Sequence, residues 1–320
     1  MDNLSRRAIL VGFGSAIVSQ SGHGQAQALK LVYPFVPGGS ADSVARVLTE
    51  RMQVSLGRSV IVDNRSGAAG RIGLVAVKQA TPDGNTLLFA AGPQIFLQPH
   101  MDANPTYDPF VDLLPISQIM RFDQALAVGP LTDAKSLQEL VDWFRANPDH
   151  AVYGSPGTGT VAQFAASEFA RLSKLELRHA AYRGTPAALP DLIGGRIPAY
   201  IAATAELIEH DKAKRIRILA TTDAVRSTSL PDVPTFRESG FDIEMAAWWG
   251  VYAPARTPRD VAARLNRVIV AIVHSPDVRE RISALGFQPT GTTAEELTEL
   301  QRADYDKWGV IVKASGFRPE

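Results

Sequence analysis

The stretch "YPFVPGGSADSVAR", Tyr33 to Arg46, predicts a strand, a glycine turn and the start of a helix. The turn is Pro37-Gly38-Gly39-Ser40, and apolar residues recur at helical spacing from Val44 onward. A helix N-terminus offers free backbone N–H groups to an anion, and glycines let a ligand approach the backbone. Asp42 lies in the first turn. The stretch is either a plain strand-to-helix turn or an anion site; it lacks the Gly-Lys-Ser/Thr ending of a nucleotide-binding loop.

Strand and helix patterns alternate along most of the chain. In the first part, strands are expected within 28–35, 59–64 and 84–92, with helices from residue 41 and over 71–80. The pattern restarts near Gln124 with further strands and helices, the last strand being the long apolar stretch "MAAWWGVYAP" (245–254), and three helices follow it. This alternation predicts an α/β fold with ligands at the carboxyl ends of parallel strands.

The three final helices need a sheet to cover. If the chain crosses back near Trp248–Tyr252, they pack on the first lobe. We therefore expect residues 29–124 plus 251–320 to form lobe 1, residues 125–250 to form lobe 2, and a cleft to lie between them.

A second glycine turn, "YGSPGTGT" (Tyr153 to Thr160), links a strand to a helix in the second lobe. Its serine and threonine hydroxyls add donors to the backbone N–H groups of the glycines. If both turns face one cleft, they hold a small dicarboxylate at its two ends, or one carboxylate from opposite sides. Without that arrangement they are turn formers.

Two further features have open interpretations. In "AYRGTPAALPDLIGG", Arg183 is either a bidentate carboxylate ligand or a solvated residue at the edge of a strand. Trp248 and Trp249 are favoured as core residues, and the alternative places one indole in the wall of the cleft.

The N-terminal 28 residues predict an export signal. A basic pair, Arg6 and Arg7, precedes an apolar run from Ala8 to Val18, and Ala26-Gln27-Ala28 fits a cleavage site before Leu29. The pair also fits a twin-arginine signal, although ordinary secretory signals contain adjacent arginines. We expect a periplasmic mature chain with no inserted segment, because no other stretch approaches ~20 apolar residues.

Composition and spacing exclude several kinds of site. The 33 basic and 33 acidic residues cancel, which argues against a nucleic acid partner, and the absence of cysteine excludes thiolate metal sites and cysteine nucleophiles. The six histidines have no metal-ligand spacing, so we expect no metal, no cofactor and no catalytic residue. A hydrolase using Ser155 or Ser40 is the alternative, but the sequence shows no partner base.

Seven blocks together resemble the solute receptors of tripartite tricarboxylate transporters, also called the Bug family. They span nearly the whole chain after the leader: "YPFVPGGSADSVAR", "VIVDNRSGAAGRIG", "ATPDGNTLLF", "YGSPGTGT", "AYRGTPAALPDLIGG", "LPDVPTFRESG" and "WWGVYAPARTP" followed by "VAARLN".

The resemblance implies a two-lobed Venus-flytrap fold of the type II periplasmic binding protein kind. It implies capture of a small organic carboxylate for a membrane permease, and a sensory receptor of the same fold is the alternative. It also implies which residues hold the ligand, in part through water: Phe35, Val36, Pro37, Gly38, Gly39, Ser40 and Asp42 from one lobe, with Gly92, and Ser155, Gly157, Thr158, Gly159, Thr160, Tyr182, Arg183 and Gly184 from the other.

The chain departs from the family pattern after Gly194-Gly195. The family has acidic residues at two positions where this chain has Pro198 and Ala202. A carboxylate in the cleft would pair with a ligand ammonium group, which is costly to bury alone. We therefore predict a ligand that is not an amino acid: either a dicarboxylate, or an aromatic or aliphatic carboxylate with its apolar end against Ala202 and Trp248.

Overall fold

The computed structural model describes residues 28–227 and 229–315 and has two α/β lobes, as the alternating pattern predicts. The expected leader, apart from Ala28, lies outside the described residues.

Eleven strands form two sheets in the described part of the chain. The first sheet has the order β11-β4-β10-β3-β1-β2 and the second β7-β6-β8-β5-β9. The strands are β1 (Leu29–Tyr33), β2 (Val60–Asn64), β3 (Thr86–Ala91), β4 (Leu113–Phe122), β5 (Gln124–Val128), β6 (Val152–Ser155), β7 (Arg178–Ala181), β8 (Ala199–Ala203), β9 (Arg217–Thr221), β10 (Ala247–Pro254) and β11 (Gln288–Pro289).

Helices cover both faces of each sheet. In the first lobe, α1 and α9 pack on one face and α2, α3 and α11 on the other; in the second, α5 and α6 lie opposite α7 and α8. The helices are α1 (Ser40–Leu56), α2 (Arg71–Lys78), α3 (Gly92–Phe96), α4 (Gln98–Met101), α5 (Leu137–Ala146), α6 (Val161–Ser173), α7 (Thr185–Ile193), α8 (Thr204–Lys212), α9 (Arg259–His274), α10 (Pro276–Ala284) and α11 (Ala294–Ala314).

Strand β4 is absent from the sequence-based prediction. It contains Pro115 and the polar pair Ser117-Gln118, which interrupt any apolar alternation. The structure satisfies this polar pair from another part of the chain: the Ser117 hydroxyl donates to the Thr292 carbonyl at 2.7 Å, and the Gln118 N–H donates to the Thr292 hydroxyl at 2.9 Å. A strand stabilised by such distant partners gives no local signal.

Strand β10 lies in the first sheet along its whole length, between β3 and β4. All eight of its residues are buried. The boundary expected between residues 250 and 251 therefore falls inside a central strand, and the chain has already returned to the first sheet at Ala247. A strand buried on both faces is uniformly apolar, so its sequence does not mark where a lobe begins.

The two crossings between the lobes run side by side. The first is the single residue Asp123, between β4 and β5, and the second begins at Thr222, after β9. Thr222 joins them: its N–H donates to the Gln124 carbonyl at 2.8 Å, and its hydroxyl accepts from the Gln124 N–H at 2.9 Å and donates to the Met245 carbonyl at 2.9 Å.

Helix α11 contacts both lobes. The Trp308 ring stacks on Phe96 of the first lobe, with centroids 5.5 Å apart, and meets Phe164 of the second lobe edge-on at 5.6 Å. The aromatic contacts therefore make one apolar cluster that continues from lobe to lobe.

Asp123 is a buried carboxylic acid at the first crossing. Its side chain is 5% exposed, and its Oδ2 has no hydrogen-bond partner among the described residues. Burial raises its pKa to about 6, and the nearby charge of Asp223 acts in the same direction. Because the unfolded chain has a pKa of about 3.9 at this group, the folded state binds the proton more tightly, and stability falls as pH rises from about 4 to 6.

Replacing Asp123 by Asn removes this ionisation. We expect Asp123→Asn to raise the free energy of unfolding at pH 8 by about 2–3 kcal/mol, the equivalent of the pKa shift, and to have little effect at pH 4. Denaturant titrations at pH 4, 6 and 8 measure this, with the exposed Asp306→Asn as control. A variant less stable than the wild type at pH 8 would contradict the account.

Candidate functional site

The two glycine loops lie at sheet edges that face each other across the first crossing. In the first sheet, the carboxyl ends of the parallel strands β1 and β3 lie at the edge where β4 ends. In the second, the carboxyl ends of β6 and β8 lie at the edge where β5 begins. Only Asp123 separates the end of β4 from the start of β5. The topology thus directs the loop after β1 and the loop after β6 toward the same space.

The first loop is open to solvent. Residues 36–40 are exposed, and Gly38 has φ +102°, a conformation that favours glycine. Helix α1 follows and is 17 residues long. The backbone N–H groups of Gly39, Ser40 and Ala41 have no acceptor among the described residues. The loop therefore presents unpaired donors at the positive end of a long helix, which is favourable for an anion.

Asp42 holds this loop and does not face solvent. Its side chain is buried, and it accepts from the Gly38 N–H at 3.1 Å, from Arg46 Nε at 2.9 Å and from the Asn64 amide at 3.3 Å. Burial alone would raise the pKa of the Asp42 carboxyl, but the hydrogen bonds from Arg46, Gly38 and Asn64 outweigh it and lower that pKa. Asp42 is therefore an ionised support, and the Gly38 N–H is already used.

The second loop carries its own internal hydrogen bonds. The Thr160 hydroxyl accepts from the Gln163 N–H at 3.2 Å as a helix cap, and the Gln163 side chain accepts from the Gly159 N–H at 2.6 Å. The N–H groups of Thr158 and Thr160 have no acceptor among the described residues. The Thr158 side chain is exposed. The available donors are thus backbone groups and the Thr158 hydroxyl.

Ser155 has a histidine partner that the sequence did not reveal. Its Oγ lies 2.7 Å from His179 Nε2 and 3.0 Å from the Gly157 carbonyl oxygen. The expectation that Ser155 has no neighbouring base is therefore wrong. The serine is nevertheless fully buried, so its hydroxyl has no surface that a substrate could reach. In this position Ser155 supports the loop and does not contact a ligand.

The third loop lies beside the second. The Tyr182 N–H donates to the Ser155 carbonyl at 2.9 Å, and the Gly184 N–H donates to the Pro156 carbonyl at 3.1 Å. The Tyr182 hydroxyl donates to Asp191 at 3.0 Å. Arg183 is exposed and has no ion pair among the described residues, so its guanidinium remains available to an anion.

Trp248 and Ala202 are core residues, contrary to the expected ligand contacts. Trp248 is 2% exposed, and its indole N–H donates to Asp304 at 2.7 Å. Ala202 is fully buried in the apolar cluster under α7 and α8. Gly92 is explained by packing as well, because a Cβ there would lie 2.7–2.8 Å from Phe96 and Trp248.

Trp249, the neighbour of Trp248, faces the other side of β10 and meets the first loop. Its ring lies 5.7 Å from Phe35 and stacks on Tyr33 at 5.6 Å. Phe35 is half-buried, whereas Tyr33 and Trp249 are buried. Aromatic rings thus form the apolar base beneath the exposed loop.

A cavity of about 620 Å³ lies between the lobes. Arg71, Gln98 and Met101 line it from the first lobe, and Thr158 and Gly159 from the second. The lobes touch here: a Cβ on Gly159 would lie 3.2 Å from the Met101 sulfur. The volume is in the range of small-molecule sites. Of the residues predicted to hold the ligand, Thr158 and Gly159 line this cavity, whereas residues 35–42 and Arg183 do not. Arg71, Gln98 and Met101 were not predicted.

Membrane-spanning helices and metal-binding groups are considered for residues 28–227 and 229–315. Neither a helix long and apolar enough to cross a membrane nor a group of His, Asp and Glu side chains able to hold a metal ion is present there.

Similarity to known proteins agrees with the architecture. Residues 44–317 match the family model described as tripartite tricarboxylate transporter family receptor. A relative from Pseudomonas sp. strain P51, named UPF0065 protein in the tcbD-tcbE intergenic region, is 32% identical over 97% of this chain and 94% of its own. Protein BugT of Bordetella pertussis is 31% identical over 91% of this chain and 90% of its own.

Solved structures show the same fold. An R. palustris protein with adipate superposes with a TM-score of 0.82, at 28% identity, over 92% of this chain and 99% of that one. MatC from Rhodopseudomonas palustris with bound malate superposes with a TM-score of 0.76, at 26% identity, over 90% and 99%. The chain has the two-lobed fold of periplasmic binding proteins and belongs to the tripartite tricarboxylate transporter family receptors.

Proposed function

We propose that this solute-binding protein captures a small organic carboxylate between its lobes, in the periplasm, and delivers it to the permease of a tripartite transporter. The observation that carries the proposal is the pair of helix N-termini, α1 and α6, whose unpaired N–H groups lie on loops at facing sheet edges. Adipate and malate in the two solved neighbours are small dicarboxylates, which supports the same ligand class.

Backbone donors suffice for a useful affinity. A Kd near 1 μM corresponds to about 8 kcal/mol, and charge-assisted hydrogen bonds contribute roughly 1.5–3 kcal/mol each. Five such bonds, from the loops and Arg183, sum to roughly 7.5–15 kcal/mol, which reaches that figure before the cost of ordering is subtracted. The proposal therefore needs no buried cationic side chain and no catalytic group.

A thermal-shift screen tests the ligand class. We expect a mono-, di- or tricarboxylate to raise the Tm, because a ligand at 100 times its Kd stabilises the folded state by about 2.7 kcal/mol. Sugars, amino acids and inorganic cations at equal ionic strength are the comparison set. Stabilisation by a sugar or a cation, with none by any carboxylate, would contradict the proposal.

Glycine substitutions test the loops. We expect Gly38→Val and Gly157→Val to weaken carboxylate binding at least tenfold, because the new side chain occupies the approach to the unpaired N–H groups. Gly57→Val is the matched control for Gly38: both glycines have positive φ and open space around the missing Cβ, but Gly57 ends the same helix. Calorimetric affinities equal to the wild type in both loop variants would make these glycines turn formers only.

A matched ligand pair tests discrimination against amino acids. Asp42 is the one carboxylate within residues 35–42 and 155–160, and its oxygens already accept three hydrogen bonds. Asp102 lines the cavity but is already paired with Arg71. An ammonium group there would therefore lose its hydration without a free carboxylate partner. We therefore expect succinate to bind more tightly than aspartate in calorimetry. Tighter binding of aspartate would overturn this specificity.

Because Ala202 is buried, we expect its replacement by Asp to affect stability and not ligand preference. Ala202→Asp places a carboxylate in an apolar cluster, so we expect lower stability, by a few kcal/mol, and not a new preference for aspartate. Denaturant unfolding of the variant and of Ala202→Ser measures the effect. A stable Ala202→Asp protein that prefers aspartate would instead place this position in the cleft.

A further inference from the structure

We propose that His179 is a positioning residue for the carboxylate site: by donating a hydrogen bond to Ser155, it orients the peptide between Gly157 and Thr158 so that the Thr158 N–H faces the cleft. The inference rests on the proposed function and adds a residue that lies behind the loop. His179 is on β7, the edge strand of the second sheet, and only half-buried.

The direction of the hydrogen bond follows from counting protons. The Ser155 hydroxyl has one hydrogen and three neighbours: the Gly157 carbonyl oxygen at 3.0 Å, the Gly157 N–H at 3.5 Å and His179 Nε2 at 2.7 Å. The Gly157 N–H donates to the hydroxyl oxygen. The carbonyl oxygen has no hydrogen to give, so the hydroxyl donates to it. The contact with His179 is then favourable only if Nε2 carries a hydrogen and donates to the serine oxygen.

The Gly157 carbonyl accepts two hydroxyl donors. Besides Ser155, the Thr160 hydroxyl donates to it at 2.9 Å. The two bonds fix this carbonyl toward the interior of the loop. In a trans peptide the N–H of the next residue points opposite to the carbonyl, and the described chain has no cis peptide. The Thr158 N–H therefore points outward, on the residue that lines the cavity between the lobes.

The surroundings hold the His179 ring in place. The ring stacks on Tyr153 with centroids 5.1 Å apart and planes 25° apart, and the Tyr153 hydroxyl bonds to Ser167 of α6 at 3.1 Å. Burial lowers the pKa of His179, so the ring is neutral at neutral pH and the Nε2–H tautomer serves as the donor. Protonation would leave the Nε2–H donor in place.

Two variants separate donation from packing. His179→Gln keeps an N–H donor and loses the ring, whereas His179→Phe keeps a stacking ring and loses the donor. With malate, adipate and succinate as probes in calorimetry at pH 8, we expect Gln to stay within about threefold of the wild-type Kd and Phe to weaken binding about tenfold. Ser155→Ala should match Phe, and His179→Phe with Ser155→Ala should be no weaker than either alone.

The outcomes are distinct. Wild-type affinity in the Phe variant, or a Gln variant as weak as Phe, would overturn the role of His179 while leaving the proposed function intact. Failure of the wild type to bind any of the three, together with no stabilisation by any mono-, di- or tricarboxylate in the thermal-shift screen, would count against the proposed function itself.

A ligand-free measurement keeps the inference testable in that case. In ¹⁵N NMR of the imidazole rings at pH 8, with His179→Gln used to assign the signal, we expect the Nε2–H tautomer. The Nδ1–H tautomer would overturn the proposal. Thermal unfolding of each variant without ligand reports whether the fold is retained.

Discussion

Four hydrogen bonds at Thr222 hold the two lobes in the relation on which the site depends. This fully buried residue exchanges two bonds with Gln124 at the first crossing and two with Met245 further along the second. These hydrogen bonds hold the two crossings side by side. Within the described residues, the chain therefore passes between the sheets at a single position in space. The edges where β4 ends and β5 begins must then meet, and the glycine loops at those edges face each other.

The binding chemistry follows from this arrangement of backbone. The chain has no net charge, so no long-range field favours anions, and the proposed preference for a carboxylate rests on local groups. Several side chains that the sequence predicted as ligand contacts instead form hydrogen bonds within the protein. Asp42 fixes the first loop, and Ser155 and Thr160 fix the second by holding the Gly157 carbonyl. Among the described residues, the N–H groups of Gly39, Ser40, Ala41, Thr158 and Thr160 have no acceptor, and these polar side chains hold the loops that carry them.

The sequence predicted the strands and helices that have a clear local period, and it predicted both glycine loops. It could not assign the faces of a strand that is buried on both sides. Trp248 and Trp249 are adjacent and therefore point to opposite faces of β10, but nothing in "MAAWWGVYAP" shows which face meets Phe35. The Ser155 to His179 hydrogen bond spans 24 residues, and Ser117 to Thr292 spans 175, so neither leaves a local pattern.

The strained segment after β2 explains how the first lobe completes the cavity. Gly67, Ala68, Ala69 and Gly70 all have positive φ, and the two alanines adopt it at a cost of roughly 1–2 kcal/mol each. Two amide groups compensate, because Gln94 and Gln98 donate to the Ala69 carbonyl at 3.1 and 3.0 Å. The segment is thereby held so that Ala69 and the following Arg71 line the space opposite Thr158. The strain is thus held by hydrogen bonds from α3 and α4, at residues beside the cavity between the lobes.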